Sequence, residues 1–175
     1  NKIKEVCLLK LYRERKITKI GYKDKMTNEH MQKCFPAYIP EEEIRKAGAK
    51  ENEYNVYRIC KWGELNQHAF ISTYEEVLER DGNVNDLDLN DISSFSTSCF
   101  EKEKDAKRMM KFFTKKNPQA ILAYGNIKKE TGLSQKTSER KPKQKSHVDW
   151  WIYKDSIIYS DFKKVTLERS EENGE

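Results

Sequence analysis

Two stretches decide the fold, Gln119–Ile127 (QAILAYGNI) and His147–Tyr153 (HVDWWIY). Both are short and rich in β-branched and aromatic residues, which is typical of strands. They flank the segment Lys128–Lys145, and we expect them to lie side by side in one sheet. Because successive side chains of a strand point to opposite faces, one face of the second stretch should belong to the core. That face carries Val148, Trp150 and Ile152.

The flanking sequence adds further strands and helices. Further strands are predicted from apolar and β-branched runs at Glu5–Tyr12, Lys16–Tyr22, Tyr54–Cys60, Ser94–Ser98 and Ser156–Val165. Helices are predicted at Thr27–Phe35, Pro40–Lys46, Phe70–Arg80 and Phe100–Lys116. Ser98 and Glu101 have the spacing of a capping box, which would begin the last of these helices. The expected fold is α+β, with a mixed or antiparallel β-sheet and several packed helices.

The chain of 175 residues is long enough for one hydrophobic core. Residues 1–167 are therefore expected to form a single α+β domain, followed by a disordered acidic tail at 168–175. The residues expected to be buried are Met109, Met110, Phe113, Ile121, Ala123, Val148, Trp150 and Ile152. Trp151, on the opposite face of its strand from Trp150, is expected to be less buried.

Composition argues against a membrane or exported protein. No apolar run approaches the roughly 18 residues that cross a bilayer, and the first twelve residues lack the pattern of a secretory signal. We therefore expect a cytoplasmic protein with no membrane partner.

The four cysteines are scattered singly through apolar segments, which predicts reduced thiols rather than a disulfide framework.

No metal site is expected. His30 and Cys34 are four residues apart, but no second ligand pair accompanies them. Asp81–Asp91 begins like a calcium loop, yet Asp86 stands where that loop needs glycine and Ile92 where it needs glutamate.

The second face of His147–Tyr153 combines chemically useful side chains, namely His147, Asp149, Trp151 and Tyr153. A carboxylate, an imidazole and two large aromatic rings form a surface that can stack on a planar ring and hydrogen-bond its substituents. An equally good alternative is a sheet face covered by a helix or loop, in which His147 and Asp149 satisfy each other. Arg58 has the same two interpretations, because a salt bridge to a glutamate would also explain it.

The order of Tyr57-Arg58, Ser96-Thr97-Ser98 and His147-x-Asp149 resembles the Arg, Ser-Thr-Ser and Glu-x-Glu order of the ADP-ribosyltransferase family. The resemblance covers residues 54–165 and implies an enzyme-like domain that handles NAD or a related nucleotide. It implies the following roles: Arg58 holds the NAD phosphates, Ser96 and Thr97 order the ribose, Asp149 and His147 are catalytic, and Trp151 and Tyr153 sandwich the nicotinamide. The chain departs from the family because Asp149 is shorter than glutamate and His147 replaces a glutamine or glutamate.

Two non-enzymatic alternatives remain open. Basic residues of the predicted mobile loop Lys128–Lys145, followed by Trp150, Trp151 and Tyr153, suit a single-stranded nucleic-acid-binding module. The net charge of +5 is small for that role, because 34 basic residues are interspersed with 29 acidic ones. The other alternative is a protein-binding module, such as an accessory or inhibitor protein of a mobile genetic element, with a protein target as its partner.

Overall fold

Most strands of this chain are short runs that contain β-branched or aromatic residues. A computed structural model describes residues 35–81 and 83–166. The strands within these residues are β1 (Tyr54–Cys60), β2 (Thr97–Phe100), β3 (Ile121–Ile127), β4 (Gly132–Lys136), β5 (His147–Ile152) and β6 (Phe162–Lys164). The α-helices are α1 (Glu41–Lys46), α2 (Thr73–Asp81) and α3 (Glu103–Thr114). The predictions outside the described residues are the strands Glu5–Tyr12 and Lys16–Tyr22, most of the helix Thr27–Phe35, and the acidic tail.

The six strands form one antiparallel sheet in the order β4-β5-β2-β1-β3-β6. Its longest ladder joins β1 to β3, from Tyr54 opposite Ile127 to Cys60 opposite Ile121. Beside the edge strand β4, Lys50 exchanges two backbone hydrogen bonds with Ser134, at 2.8 and 3.2 Å. The α+β class predicted from the sequence is confirmed, in a single domain.

The expected pairing of the two stretches that decide the fold is wrong. β3 and β5 are separated by β2 and β1, because β5 is hydrogen-bonded to β2 on one side and to β4 on the other. β4 comes from the segment predicted to be a mobile loop. Its Leu133 is fully buried, and Gly132 lies so close to β5 that a Cβ there would come within 2.1 Å of the Trp151 carbonyl oxygen.

The local predictions differ from the structure mainly at element ends. Ser98 lies inside β2 rather than at a helix start, so the predicted capping box is wrong, and α3 begins at Glu103 without a side-chain cap. The residues Ile92–Phe95 form a 3-10 turn where a strand was expected to begin. Another 3-10 turn, Gln67–Phe70, precedes α2, which therefore starts later than predicted. The last predicted strand is shortened to β6.

Both faces of the sheet carry a hydrophobic core. One face carries a core that includes Val56, Phe70, Cys99, Val148 and Trp150. On the other face, Ala106 and Met110 of α3 cover the middle of the sheet. On the same face, beside α3, Ile44 of α1 and Phe95 cover Leu133 and Trp151.

Trp150 and Trp151 are both fully buried, so the expectation that Trp151 is less buried is wrong. Two elements distant in sequence, α1 and the turn Ile92–Phe95, cover its face. Met109, predicted to be buried, is 40% exposed, because Met110 is the residue of α3 that points into the core. Phe113, Ile121 and Ile152 are partly buried, and Ala123 and Val148 are buried as expected.

The described cysteines, Cys60 and Cys99, are free and buried. Burial raises the pKa of Cys60 to about 11 and that of Cys99 to about 12, so both thiols stay protonated near neutral pH. Over residues 35–81 and 83–166, no helix combines the length and apolar character needed to span a membrane.

The burial of both adjacent indoles predicts that Trp150→Ala and Trp151→Ala destabilise the fold to a similar extent. Truncating a fully buried tryptophan removes its packing and leaves a cavity, at a cost of about 3–5 kcal/mol. Urea unfolding of both variants measures this, with Trp62→Ala as the control at a half-buried tryptophan. A Trp151→Ala variant no less stable than the control would contradict the packing of α1 on β5.

Candidate functional site

Asp149 is the centre of the most polar part of the interior. It lies in β5 opposite Ser98 of β2 and Gln135 of β4, and its side chain is fully buried. Its carboxylate accepts hydrogen bonds from Ser96 Oγ and Thr137 Oγ1, both at 2.9 Å, and from Arg140 Nη2. A buried carboxylate is stable only with such donors, and the fold supplies them from two separate segments, the turn after β4 and the residue that follows the turn Ile92–Phe95.

Arg140 connects this carboxylate to the surface. The 3-10 turn Thr137–Glu139 follows β4 directly and places Arg140 next to β5. Its Nε donates to Gln135 Oε1 at 2.8 Å and its Nη2 to Ser93 Oγ at 3.0 Å. The guanidinium also lies 5.7 Å from the centre of the Trp151 ring, within the range of a cation–π contact.

A second carboxylate, Asp91, lies on the outer side of Arg140. Lys141 Nζ donates to Asp91 Oδ2, and Arg140 Nη1 is 3.5 Å from Asp91 Oδ1. Burial opposes the charge of Asp91, but hydrogen bonds from Lys141 and Ser93 outweigh it and hold the pKa of Asp91 below its usual value. The site is therefore a chain of alternating charges, with two carboxylates bridged by one guanidinium.

His147 completes the cluster at the start of β5. Its Nδ1 is 2.6 Å from Thr137 Oγ1 and 3.6 Å from Asp149 Oδ1, and its ring lies edge-on to Phe100. Burial lowers the pKa of His147, although the nearby Asp149 charge opposes that shift. The imidazole is therefore neutral near pH 7.

Arg58 lies on the opposite face of the sheet. Strand register places Tyr57, Phe100 and His147 on one face, so Asp149 shares that face and Arg58 points away from it. Arg58 donates to the Ala69 carbonyl at 2.8 Å, to the Ser98 carbonyl at 2.9 Å and to Glu76 Oε1 at 2.5 Å. Burial disfavours its charge, but Glu76 outweighs this effect and raises the pKa of Arg58. The pairing of Arg58 with Glu76 corresponds to the salt bridge that the sequence offered as the alternative interpretation of Arg58.

The structure brings together three of the seven residues that the resemblance assigns to a site, Ser96, His147 and Asp149. Trp151 lies beneath Arg140, and its indole nitrogen donates to the Ile92 carbonyl at 3.1 Å. The other two lie apart from the cluster. Thr97 Oγ1 donates to the Phe70 carbonyl at 2.6 Å, and the Tyr153 hydroxyl donates to Glu51 Oε1 at 2.9 Å.

Sequence reasoning missed Ser93, Thr137 and Arg140. The sequence signal for Thr137 and Arg140 was the alternation of Leu133 and Gln135 within GLSQK. That alternation can be recognised only when the segment is treated as a strand. The lysines on both sides of it favoured a loop instead. Ser93 had no signal, because it reaches Asp149 through tertiary packing alone, at 3.4 Å.

An open groove of about 530 Å³ lies above the cluster, lined by residues that include Lys46, Asp91, Phe95 and Arg140. Its cations, Lys46 and Arg140, are already paired with carboxylates, and Arg58 does not line it. No group of three or more potential metal-binding side chains occurs in the described part of the chain. The oxygens of Asp149 already accept several hydrogen bonds. Within the fold, this arrangement neutralises the charge of the buried carboxylate.

Comparison of the chain with protein-family models, with curated proteins and with solved structures gave no match. The site is therefore interpreted from its own geometry. NAD handling, with Arg58 as the phosphate clamp and Asp149 as the catalytic carboxylate, stays a prediction from the sequence. Two properties of these residues follow directly from their surroundings and can be measured.

We expect Arg58→Met to lower the free energy of unfolding by about 3–5 kcal/mol, because it leaves the Glu76 carboxylate buried without its main partner. The double variant Arg58→Met, Glu76→Leu should recover part of that loss, since no carboxylate remains uncompensated. Urea unfolding of the two variants gives the comparison. An Arg58→Met protein of wild-type stability would instead fit a residue held ready for a ligand.

The lowered pKa of His147 predicts a loss of stability as the pH falls. The unfolded chain takes up a proton near the ordinary histidine pKa of about 6.5, while the folded chain resists it, so stability decreases below that pH. His147→Gln should reduce the difference in unfolding free energy between pH 7 and pH 5. A His147→Gln variant that keeps the wild-type difference would contradict the prediction.

Proposed function

We propose that this domain binds single-stranded nucleic acid on the open part of its sheet. The observation that carries the proposal is a pair of tyrosines, Tyr57 and Tyr124, directly opposite each other on β1 and β3. Their ring centres are 4.8 Å apart; Tyr124 is 41% exposed and Tyr57 is partly buried beside it. Aromatic rings on an open sheet are the surfaces on which unpaired bases stack.

Polar groups surround the tyrosine pair. Asn55 and Asn126 form the pair two residues along the same strands and face, and Asn126 Nδ2 donates to Asn55 Oδ1 at 3.2 Å. Lys163 of β6 lies opposite Tyr124 and is exposed. Amides can hydrogen-bond base edges and a lysine can bind a phosphate, so these groups complement a stacked nucleotide.

The adjacent helix α3 supplies further positive charge. It packs on the same face, where Ala106 and Met110 contact Ile59 and Leu122. No acidic residue occurs between Asp105 and Glu130 in the sequence. The exposed basic residues of this helix and its C-terminal end are Lys104, Lys107, Arg108, Lys111, Lys115 and Lys116. Glu103 pairs with Lys107 and Asp105 with Arg108, so the net positive field is strongest towards the C-terminal half.

The segment Lys128–Lys145 is a weaker candidate for this role than the sequence suggested. Its basic residues are largely committed to ion pairs within the fold. These pairs are Lys128–Asp161, Lys136–Glu101, Arg140–Asp149 and Lys141–Asp91. The aromatic residues that follow it, Trp150, Trp151 and Tyr153, are buried and leave no ring for a base. The proposal therefore keeps the predicted ligand class but assigns it to β1, β3 and α3.

A single-stranded ligand is favoured over an acidic protein by the tyrosine pair. An acidic protein could pair with the basic residues of α3, but it would not require stacking on Tyr124. An enzymatic role is less favoured, because Arg58 and Asp149 lie on opposite faces with their hydrogen-bonding groups engaged.

Fluorescence anisotropy with labelled dT15 and U15 at about 50 mM salt tests the proposal, because phosphate contacts are strong at that ionic strength. We expect Tyr124→Ala to weaken binding about 5- to 100-fold, the range for loss of base stacking. The matched control is Tyr159→Ala, at a tyrosine that is 42% exposed in the turn Tyr159–Asp161, which contacts the turn Gln67–Phe70. It should bind like the unmodified chain.

Charge variants provide the second measurement. Lys111→Gln and Lys115→Gln should each make the salt dependence shallower, by about 0.7 in the slope of log K against log salt for every phosphate that the protein no longer neutralises. Absence of binding at low salt would overturn the proposal. Binding that depends on the lysines but is equal for Tyr124→Ala and Tyr159→Ala would reduce it to a non-specific attraction between charges.

A further inference from the structure

Three buried polar atoms of the described residues have no hydrogen-bond partner: Tyr38 Oη, Ser134 Oγ and Trp150 Nε1. A buried indole N–H normally finds an acceptor, because leaving it without one costs about 1–3 kcal/mol. The neighbouring Trp151 follows that rule by donating to the Ile92 carbonyl. Trp150 is as fully buried as Trp151 but lacks a partner within the described chain.

Two of these three atoms belong to residues that line one cavity. Tyr38 and Trp150 both contribute to a space of about 210 Å³ between the segment around residues 36–39 and the sheet. Its other walls combine aromatic and aliphatic residues, which include Phe70, Ile71 and Phe95, with polar ones, which include Ser72 and Glu75. The residues that carry the two polar atoms without partners therefore line a space with an apolar part and a polar part.

Thr97 and Tyr153, which the sequence predicted to bind a cofactor, also line this cavity. Their hydroxyl groups donate to the Phe70 carbonyl and to Glu51, so they do not provide the unused donors. The unused donors belong to Trp150 and Tyr38. Their chemistry restricts what the cavity accepts.

Both groups are donors near neutral pH. An indole N–H can only donate, and burial together with the nearby Glu75 carboxylate raises the pKa of Tyr38, which keeps its hydroxyl protonated. The volume corresponds to about seven water molecules and lies below the roughly 300–1,000 Å³ of pockets for drug-sized ligands. An occupant must therefore offer acceptors and be about one ring in size.

We propose that this cavity is a binding site for a small, flat, uncharged molecule that carries a carbonyl oxygen, with Trp150 Nε1 and Tyr38 Oη as the donors to that oxygen. Phe70 and Phe95 contact its apolar body. The site is independent of the nucleic-acid surface, because Trp150 points to the opposite face of the sheet from Tyr57.

Acetophenone and α-methylstyrene form a matched pair of probes, since the second compound replaces the carbonyl oxygen of the first with a CH₂ group. The readout is the indole N–H signal of Trp150 in a nitrogen–proton NMR correlation spectrum of the full chain, assigned by its loss in Trp150→Phe. We expect millimolar acetophenone to move this signal downfield, as a new hydrogen bond does. The Trp151 signal should stay in place, because its N–H is already bonded.

Tyr38→Phe should weaken acetophenone binding about five-fold, the value of one hydrogen bond. It should leave α-methylstyrene binding unchanged and gives a test that does not depend on mutating Trp150. Two outcomes overturn the proposal. One is a Trp150 signal that does not respond to acetophenone, in which case water alone occupies the cavity, and the other is an equal response to both probes.

Discussion

Consecutive residues of a strand point to opposite faces of the sheet, and at Trp150 and Trp151 both side chains are fully buried. Two adjacent buried indoles require packed layers on both sides of β5. Phe70 and Phe162 contact Trp150 on one side, and Ile44, Phe95 and Leu133 pack with Trp151 on the other. The same covering is thinner over β3, where Tyr124 is exposed. The sheet is therefore closed around β5 and partly open where β1 meets β3.

Two cations, the buried Arg58 and the partly buried Arg140, are held on opposite sides of this sheet, each by carboxylates. Arg58 is paired with Glu76, while Arg140 bridges Asp149 and Asp91. Moving a charge from water into the interior is unfavourable, and the surrounding hydroxyl and carbonyl groups offset part of that cost. Such pairs tolerate joint replacement better than the removal of one partner. Arg58 and Asp149, which resemble catalytic residues in the sequence, each belong to one of these ion pairs.

The local sequence pattern was sufficient to predict individual strands. The alternation in Tyr54–Cys60 and the β-rich composition of Gln119–Ile127 correctly predicted β1 and β3 within two residues. The proximity of His147 to Asp149 also followed from their shared strand face. Burial of Trp151 could not be predicted, because nothing local to HVDWWIY indicates that α1, about a hundred residues earlier, covers it. The role of Arg140 was missed for a related reason, since it depends on β4 pairing with β5.

The two margins of the sheet are protected in different ways. Along β4, Lys50 occupies the backbone groups of Ser134, and Asn52 Nδ2 donates to the same carbonyl at 2.8 Å. The other margin, β6, is three residues long and carries the exposed charges of Lys163 and Lys164. Short, charged or already bonded margins disfavour the addition of a foreign strand, which is how sheet proteins begin to aggregate. Detaching Lys50 and Asn52 from β4 would leave the backbone groups of a five-residue edge strand open to pairing with a strand of another chain.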